Sequence, residues 1–148
     1  MEQTTWIVAE RPEDYGPLCT LARTLGPAVT AVWVGDDAGL AQVRTCGADQ
    51  VLAVPTEGGL YEAAFPAVVE AAKDVRPRTV LLASTKRLRL AAAQLAVALG
   101  AKALNDAVSI QADGDAIVAE RMVYGGSAFG RERVADAPAI VLVSDGLL

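Results

Sequence analysis

Five short apolar runs rich in branched residues recur along the chain with helix-like stretches between them, and this alternation constrains the fold more than any other feature. The runs are TWIVAE (residues 4 to 9 or 10), AVTAVWV (28–34), QVLAV (50–54), TVLLAS (79–84) and AIVLV (139–143), bounded by Gly, Pro or Asp. A continuous apolar run between turn signals is the pattern of a strand buried on both faces. Parallel strands need crossovers of a dozen or more residues. Strand and helix repeated four times therefore predict an α/β, doubly wound, mainly parallel sheet.

The intervening stretches carry helical spacing. Leu18, Leu21, Ala22 and Leu25 form a stripe before the stop signal Gly26-Pro27, and Leu40, Val43 and Arg44 precede Cys46-Gly47. Residues 59–75 place Leu60, Ala63, Ala64, Ala67, Val68, Ala71 and Ala72 on a helical pattern that stops at Val75-Arg76-Pro77. Pro66 falls inside it, which predicts a helix starting near Phe65, with the proline in its first turn, or a bend there. Leu88, Ala92, Leu95 and Leu99 line a fourth helix ending at Gly100. The last third changes character: 103–110, a turn at Asp113-Gly114, 116–123, a turn through Gly125-Gly126, 129–134 and the closing run 139–143 read as antiparallel additions to one edge. With no linker, repeat or low-complexity run, one domain is expected over 1–148.

Composition removes several function classes. Hydrophobic residues are 53% of the 148 and aromatics 5%, so the core must be built from Ala, Val and Leu. A formal net charge of −5 opposes nucleic-acid binding, which needs clustered cations in excess. No apolar run approaches the ~20 residues that span a bilayer, and MEQTTWIVAE lacks the basic start of a secretory signal. The expectation is a cytoplasmic protein without membrane insertion. There is no histidine, which removes Ser-His and Cys-His catalysis and imidazole metal sites. Cys19 and Cys46 form no C-x-x-C motif and read as small buried residues or bystanders.

The stretch LLASTKRLRLAAAQLA (81–96) runs from strand into helix with Lys86, Arg87 and Arg89 in the first helical turn. A helix amino terminus already holds partial positive charge, so these cations call for something anionic opposite. Glu10, Ser84, Thr85 and Lys86 are the candidates for holding a phosphate at the strand ends. Against them stands the absence of glycine between Leu81 and Gly100, and of any glycine-rich phosphate motif. A second apolar stripe, Leu90, Ala93 and Val97, either faces a partner or is buried within the fold. The segment RMVYGGSAFGRER (121–133) reads either as a hairpin turn with surface arginines or as a docking edge. Glu10, Asp106 and Glu120 are the candidate acids, for which capping or ion pairing competes with acid-base chemistry.

Five segments in order, IVAE (7–10), CGADQVLAVP (46–55), RPRTVLLASTKR (76–87), LAVALGAKALNDAV (95–108) and RMVYGGSAFG (121–130), make the chain resemble the amino-terminal domain of electron transfer flavoprotein alpha subunits, nearest to the bacterial Fix-type branch. The resemblance covers essentially the whole chain. It implies an adenine nucleotide alpha hydrolase-like fold, and an electron carrier rather than an enzyme. It also implies a beta-type partner subunit, with flavin dehydrogenases met through the complete complex. FAD in that family lies on a carboxy-terminal alpha domain whose glycine-arginine motif has no counterpart here, so no cofactor is expected on this chain and the flavin domain is expected to be absent. The interface residues expected on this reading are Arg87, Arg89, Arg121, Tyr124, Gly125 and Gly126.

Two positions depart from the family pattern: Leu88-Arg89 stands where Gly and a basic residue are usual, and Gln94 where Arg is common. Both weigh against nucleotide binding at that end. The alternatives are a stand-alone adenine-nucleotide module of universal-stress type, and a small enzyme using Glu10, Asp106 and Lys86.

Overall fold

The computed structural model describes residues 1–56 and 58–148. In chain order the elements are β1 (Glu2–Val8), α1 (Tyr15–Arg23), β2 (Val29–Gly35), α2 (Asp37–Val43), β3 (Gln50–Pro55), α3 (Tyr61–Val75), β4 (Pro77–Ala83), α4 (Lys86–Leu99), β5 (Lys102–Asp113), β6 (Ala116–Val123), β7 (Ala128–Val134) and β8 (Ala139–Val143). The strands form one sheet in the order β3-β2-β1-β4-β8-β5-β6-β7. Pairing is parallel from β3 to β5 and antiparallel through β6 and β7. The doubly wound, mainly parallel α/β sheet with antiparallel edge strands is borne out.

The closing run departs from the expected edge placement. β8 is inserted between β4 and β5 and is parallel to both. All five of its residues are buried, and a strand apolar on both faces needs neighbours and cover on both sides, which an edge would deny it. β5 therefore serves two partners. Its first part runs parallel to β8, its second part antiparallel to β6, and the register shifts between Leu104 and Ala107. Asp106 sits in that irregularity with φ 55°, a left-handed conformation that aspartate tolerates better than most residues.

Right-handed crossovers put α1 and α2 on one face of the sheet and α3 and α4 on the other, where these two pack together. The helix expected near Phe65 begins instead at Tyr61, and Pro66 is its sixth residue. Tyr61 and Phe65, one turn apart, stack at 5.8 Å, and Phe65, Val68 and Ala72 are buried. Packing of that face outweighs the proline's lost hydrogen bond, as tertiary contacts routinely outweigh local preference. On α4, Leu88, Ala91, Ala92, Leu95 and Leu99 are buried, whereas Leu90, Ala93 and Val97 are exposed. The second stripe is thus a surface, not a second buried side. Gly100, with φ 60°, ends α4 in the left-handed cap that glycine accepts without steric cost.

Tyr15 ties the carboxyl end of β1 to its neighbours. Its buried hydroxyl accepts from Ala9 N–H at 3.1 Å and donates to Val32 O, with Ala9 O at 3.0 Å as a second acceptor. Its ring meets Trp33 edge-on at 6.0 Å. The sheet order reverses between β1 and β4, so the crevice at their carboxyl ends is where open α/β sheets place their sites.

Candidate functional site

At that crevice α4 begins. Thr85 adopts an extended conformation and its Oγ1 accepts from Leu88 N–H at 3.2 Å, the usual work of a helix cap. The cations that follow meet carboxylates of this same chain. Arg87 Nη1 donates to Glu10 Oε1 at 2.9 Å and Nε to Glu62 Oε1 at 2.7 Å, while its guanidinium lies 5.1 Å from the centre of the Tyr61 ring. One side chain therefore joins the tip of β1, the first turn of α3 and the first turn of α4. Glu62 is held below the usual carboxylate range, first by its own backbone N–H and then by Arg87. Arg89 Nη2 reaches Asp106 Oδ1 at 3.4 Å, and Ser84 Oγ donates to the same oxygen at 3.4 Å. Lys86 is exposed and makes no ion pair among the described residues.

Beside this cluster a cavity of about 710 Å³ opens at the tips of β1 to β3. Its walls include Glu10, Trp33, Asp36, Gly39, Tyr61 and Arg87. Asp36 Oδ1 caps α2 by accepting from Gly39 N–H at 2.8 Å, and the Trp33 indole donates to Asp36 O at 2.9 Å. Among the described residues the Tyr61 hydroxyl is buried and has no hydrogen-bond partner. These residues do not fit the pyrophosphate of a dinucleotide such as FAD. Glu10 and Asp36 bring negative charge, and Arg87, the lone cation among the described lining residues, is engaged by Glu10 and Glu62. The hydroxyls of Ser84 and Thr85, candidates for phosphate contact, are bonded to Asp106 and to the α4 backbone. The universal-stress-type alternative is not favoured.

The carboxylates proposed for acid-base work are kept apart. Glu10 follows β1 and Asp106 lies in β5, with β4 and β8 between them, three strand spacings or about 14 Å. Each has an arginine partner. Glu120 lies on β6 opposite Arg131, further still from the β1 tip.

The hairpin β6–β7 forms the far edge. Glu132 takes Arg121 Nε at 2.9 Å and Lys102 Nζ at 2.5 Å, and its carboxyl is held low by Lys102 first and Arg121 after it. Tyr124, Gly125 and Gly126 have φ of 52°, 63° and 90°, so the turn depends on its two glycines for these left-handed backbones. Tyr124 is 85% exposed, and Met122 and Phe129, paired across the strands, are 46% and 68% exposed. That pair was not singled out from sequence. The turn glycines mark a hairpin, but only the register shows that Met122 and Phe129 share its outer face. Glu62 and Tyr61 were missed for a similar reason, since nothing local to residues 61–62 points to Arg87.

Comparison with known proteins gives the setting for this geometry. Residues 17–148 match the family model described as the electron transfer flavoprotein domain. The chain belongs to the electron transfer flavoprotein family. It is 35% identical over 148 residues to the protein FixB of Salmonella typhimurium strain LT2, covering 97% of this chain and 46% of that protein. It is 31% identical over 146 residues to YdiR of Escherichia coli strain K12, named as an electron transfer flavoprotein subunit, with coverage of 97% and 46%. FixB of Escherichia coli O157:H7 is 34% identical over 146 residues. The chain thus spans about half the length of these relatives. Membership supports a role in electron transfer and bears out the resemblance read from the five segments. Among the described residues no helix is long and apolar enough to cross a membrane.

Proposed function

We propose that this chain is the amino-terminal domain of an alpha-type electron transfer flavoprotein subunit and acts as a scaffold in the cytoplasm. It docks a beta-type subunit so that a flavin held elsewhere exchanges electrons between a dehydrogenase and an acceptor. The observation that carries this reading is the exposed Met122–Phe129 pair beside Tyr124 on the sheet edge. Large apolar and aromatic side chains gathered on a surface, with Arg131 and Arg133 on the same outer face, have the composition of an interface core and rim. The cavity at the strand tips supports the same reading, because its lining is unsuited to a phosphate-bearing cofactor. On this reading Arg121 and the glycines of the turn shape the docking edge, and Arg87 and Arg89 brace the strand tips behind it.

The test is titration of this chain with a beta-type electron transfer flavoprotein subunit from the same organism, followed by calorimetry. Binding is expected, with Phe129→Asp lowering affinity at least tenfold and Val97→Asp, on the exposed stripe of α4, leaving it unchanged. The isolated chain is expected to show no flavin absorbance. Equal affinities for Phe129→Asp and the unaltered chain, or no complex at all, would refute the assignment.

A further inference from the structure

At the amino-terminal end of the sheet, opposite the crevice, the β1–β4 ladder is irregular. Glu2 pairs with Pro77 and Thr5 with Thr79, so Gln3 and Thr4 together stand against Arg78 alone. A bulge of this kind re-aims the side chains around it. Beside it lies a pit of about 100 Å³ whose walls include Gln3, Thr4, Thr5, Gly26 and Arg78.

Two of these side chains lack the partners that burial calls for. Among the described residues Arg44, Arg76, Arg78, Lys86 and Arg131 make no ion pair, and of these only Arg78 is half-buried while the others are exposed. Arg78 Nη2 donates to Gly114 O at 2.9 Å and to Ala116 O at 2.8 Å, whereas Nη1 has only Gln3 Oε1, at 3.4 Å. Carbonyls satisfy N–H groups without neutralising the charge, and a charge partly withdrawn from water costs free energy until one of opposite sign meets it. Thr5 is 4% exposed, and among the described residues its hydroxyl has no hydrogen-bond partner. The Thr4 hydroxyl donates to Ala28 O only at 3.4 Å.

We propose that this pit binds one tetrahedral oxyanion group, a phosphate or a sulfate, between Arg78 Nη1 and the Thr5 hydroxyl. The geometry favours that shape over a carboxylate. A carboxylate takes an arginine best through two parallel N–H groups, but here Nη2 is already engaged and Nε is buried. The donors that remain come from two strands, Arg78 on β4 and Thr5 on β1, and oxygens spread in three dimensions meet both. The volume admits one such group but no nucleotide, and the site lies at the other end of the sheet from Glu10 and Arg87.

The isotope-labelled chain is titrated with inorganic phosphate, sulfate, acetate and chloride at one fixed ionic strength, and its amide and arginine side-chain resonances are followed by NMR. Saturable shifts centred on Gln3, Thr4, Thr5, Gly26 and Arg78 are expected with phosphate and sulfate, weaker ones with acetate and none with chloride. Glycerol phosphate separates the two sources of such a group: binding at least as tight as inorganic phosphate assigns the pit to a phosphate ester, weaker binding to the free ion. Thr5→Val keeps the shape and removes the donor, and should weaken phosphate about tenfold, the worth of a hydrogen bond to a charged group. Arg78→Met should abolish saturation, and if that variant does not fold, Thr5→Val decides. No saturable shift with phosphate, equal shifts with chloride, acetate bound as tightly as phosphate, or full affinity in either variant would each overturn the assignment.

Discussion

Arg87 and Glu10, 77 positions apart in the chain, meet at 2.9 Å where the sheet reverses its order. The guanidinium also bonds Glu62 and covers the Tyr61 ring, so one residue couples three elements. Arg87→Met removes both ion pairs and the cation–π contact while keeping much of the side-chain volume. The site is partly exposed and screened, so the expected loss is about 1 kcal/mol, read as a lower urea midpoint. The difference between the two proteins should shrink at high salt, and a midpoint unchanged at low salt would show that the bridge contributes nothing.

Tyr15 connects stability to alkaline pH. Burial raises its hydroxyl well above the ordinary tyrosine value, so the folded chain keeps a proton that the unfolded chain releases. The stability this gives is complete below the unfolded value near ~10 and is lost as pH rises beyond it, because the unfolded state then binds fewer protons. Tyr15→Phe leaves Ala9 N–H without its acceptor, at a cost of about 1–3 kcal/mol at neutral pH, and should flatten the fall above pH ~10. Tyr61, also raised by burial, retains part of that slope. Urea unfolding at neutral and alkaline pH measures both effects.

At Gly39 two effects of opposite sign compete. Alanine in place of a helical glycine gains about 1 kcal/mol from propensity. A β-carbon at this position would stand 2.1 Å from Trp33 Cζ2, and that indole is 5% exposed and donates to Asp36 O. Forcing a buried ring aside costs about 1–3 kcal/mol, so Gly39→Ala is expected to be net destabilising. A changed tryptophan emission should accompany the lower midpoint, and a more stable variant would show that the ring moves freely.

Pro66 gives the reverse case. It lies exposed inside α3 and supplies no N–H to the Glu62 carbonyl one turn earlier. Pro66→Ala restores that donor, with a gain expected at about 1–3 kcal/mol against a ceiling near ~3 for a mid-helix proline. Thermal unfolding should move upward, and a lower transition would mean that the proline's rigidity in the unfolded chain dominates.

Much of the fold was legible because burial on both sides leaves a local mark. The runs at 28–34, 79–84 and 139–143 are largely buried strands in the structure and the stripe Leu88, Ala92, Leu95, Leu99 faces the core, whereas 50–54, expected to be buried likewise, is the edge strand β3 with none of its residues buried. Glycine and proline marked several boundaries, as at Gly100, but Pro66 misled because its cost is outweighed by Phe65 and Val68, whose burial is a tertiary event. The candidate site was legible only in its cations. Lys86, Arg87 and Arg89 announce an unusual charge at a helix start, but their sequence neighbours do not say what answers it.

By itself, the sequence determined the strand and helix periods, the apolar core and the family to which the chain belongs, since these follow from side chains read a few residues at a time. Tertiary structure alone decided that residues 139–143 enter the sheet between β4 and β5, and that Glu10 and Glu62 converge on Arg87. The physical reason is that periodicity records whether a side chain is buried, whereas the partner it is buried against is selected by the order of the strands, and that order is a property of the whole packed sheet.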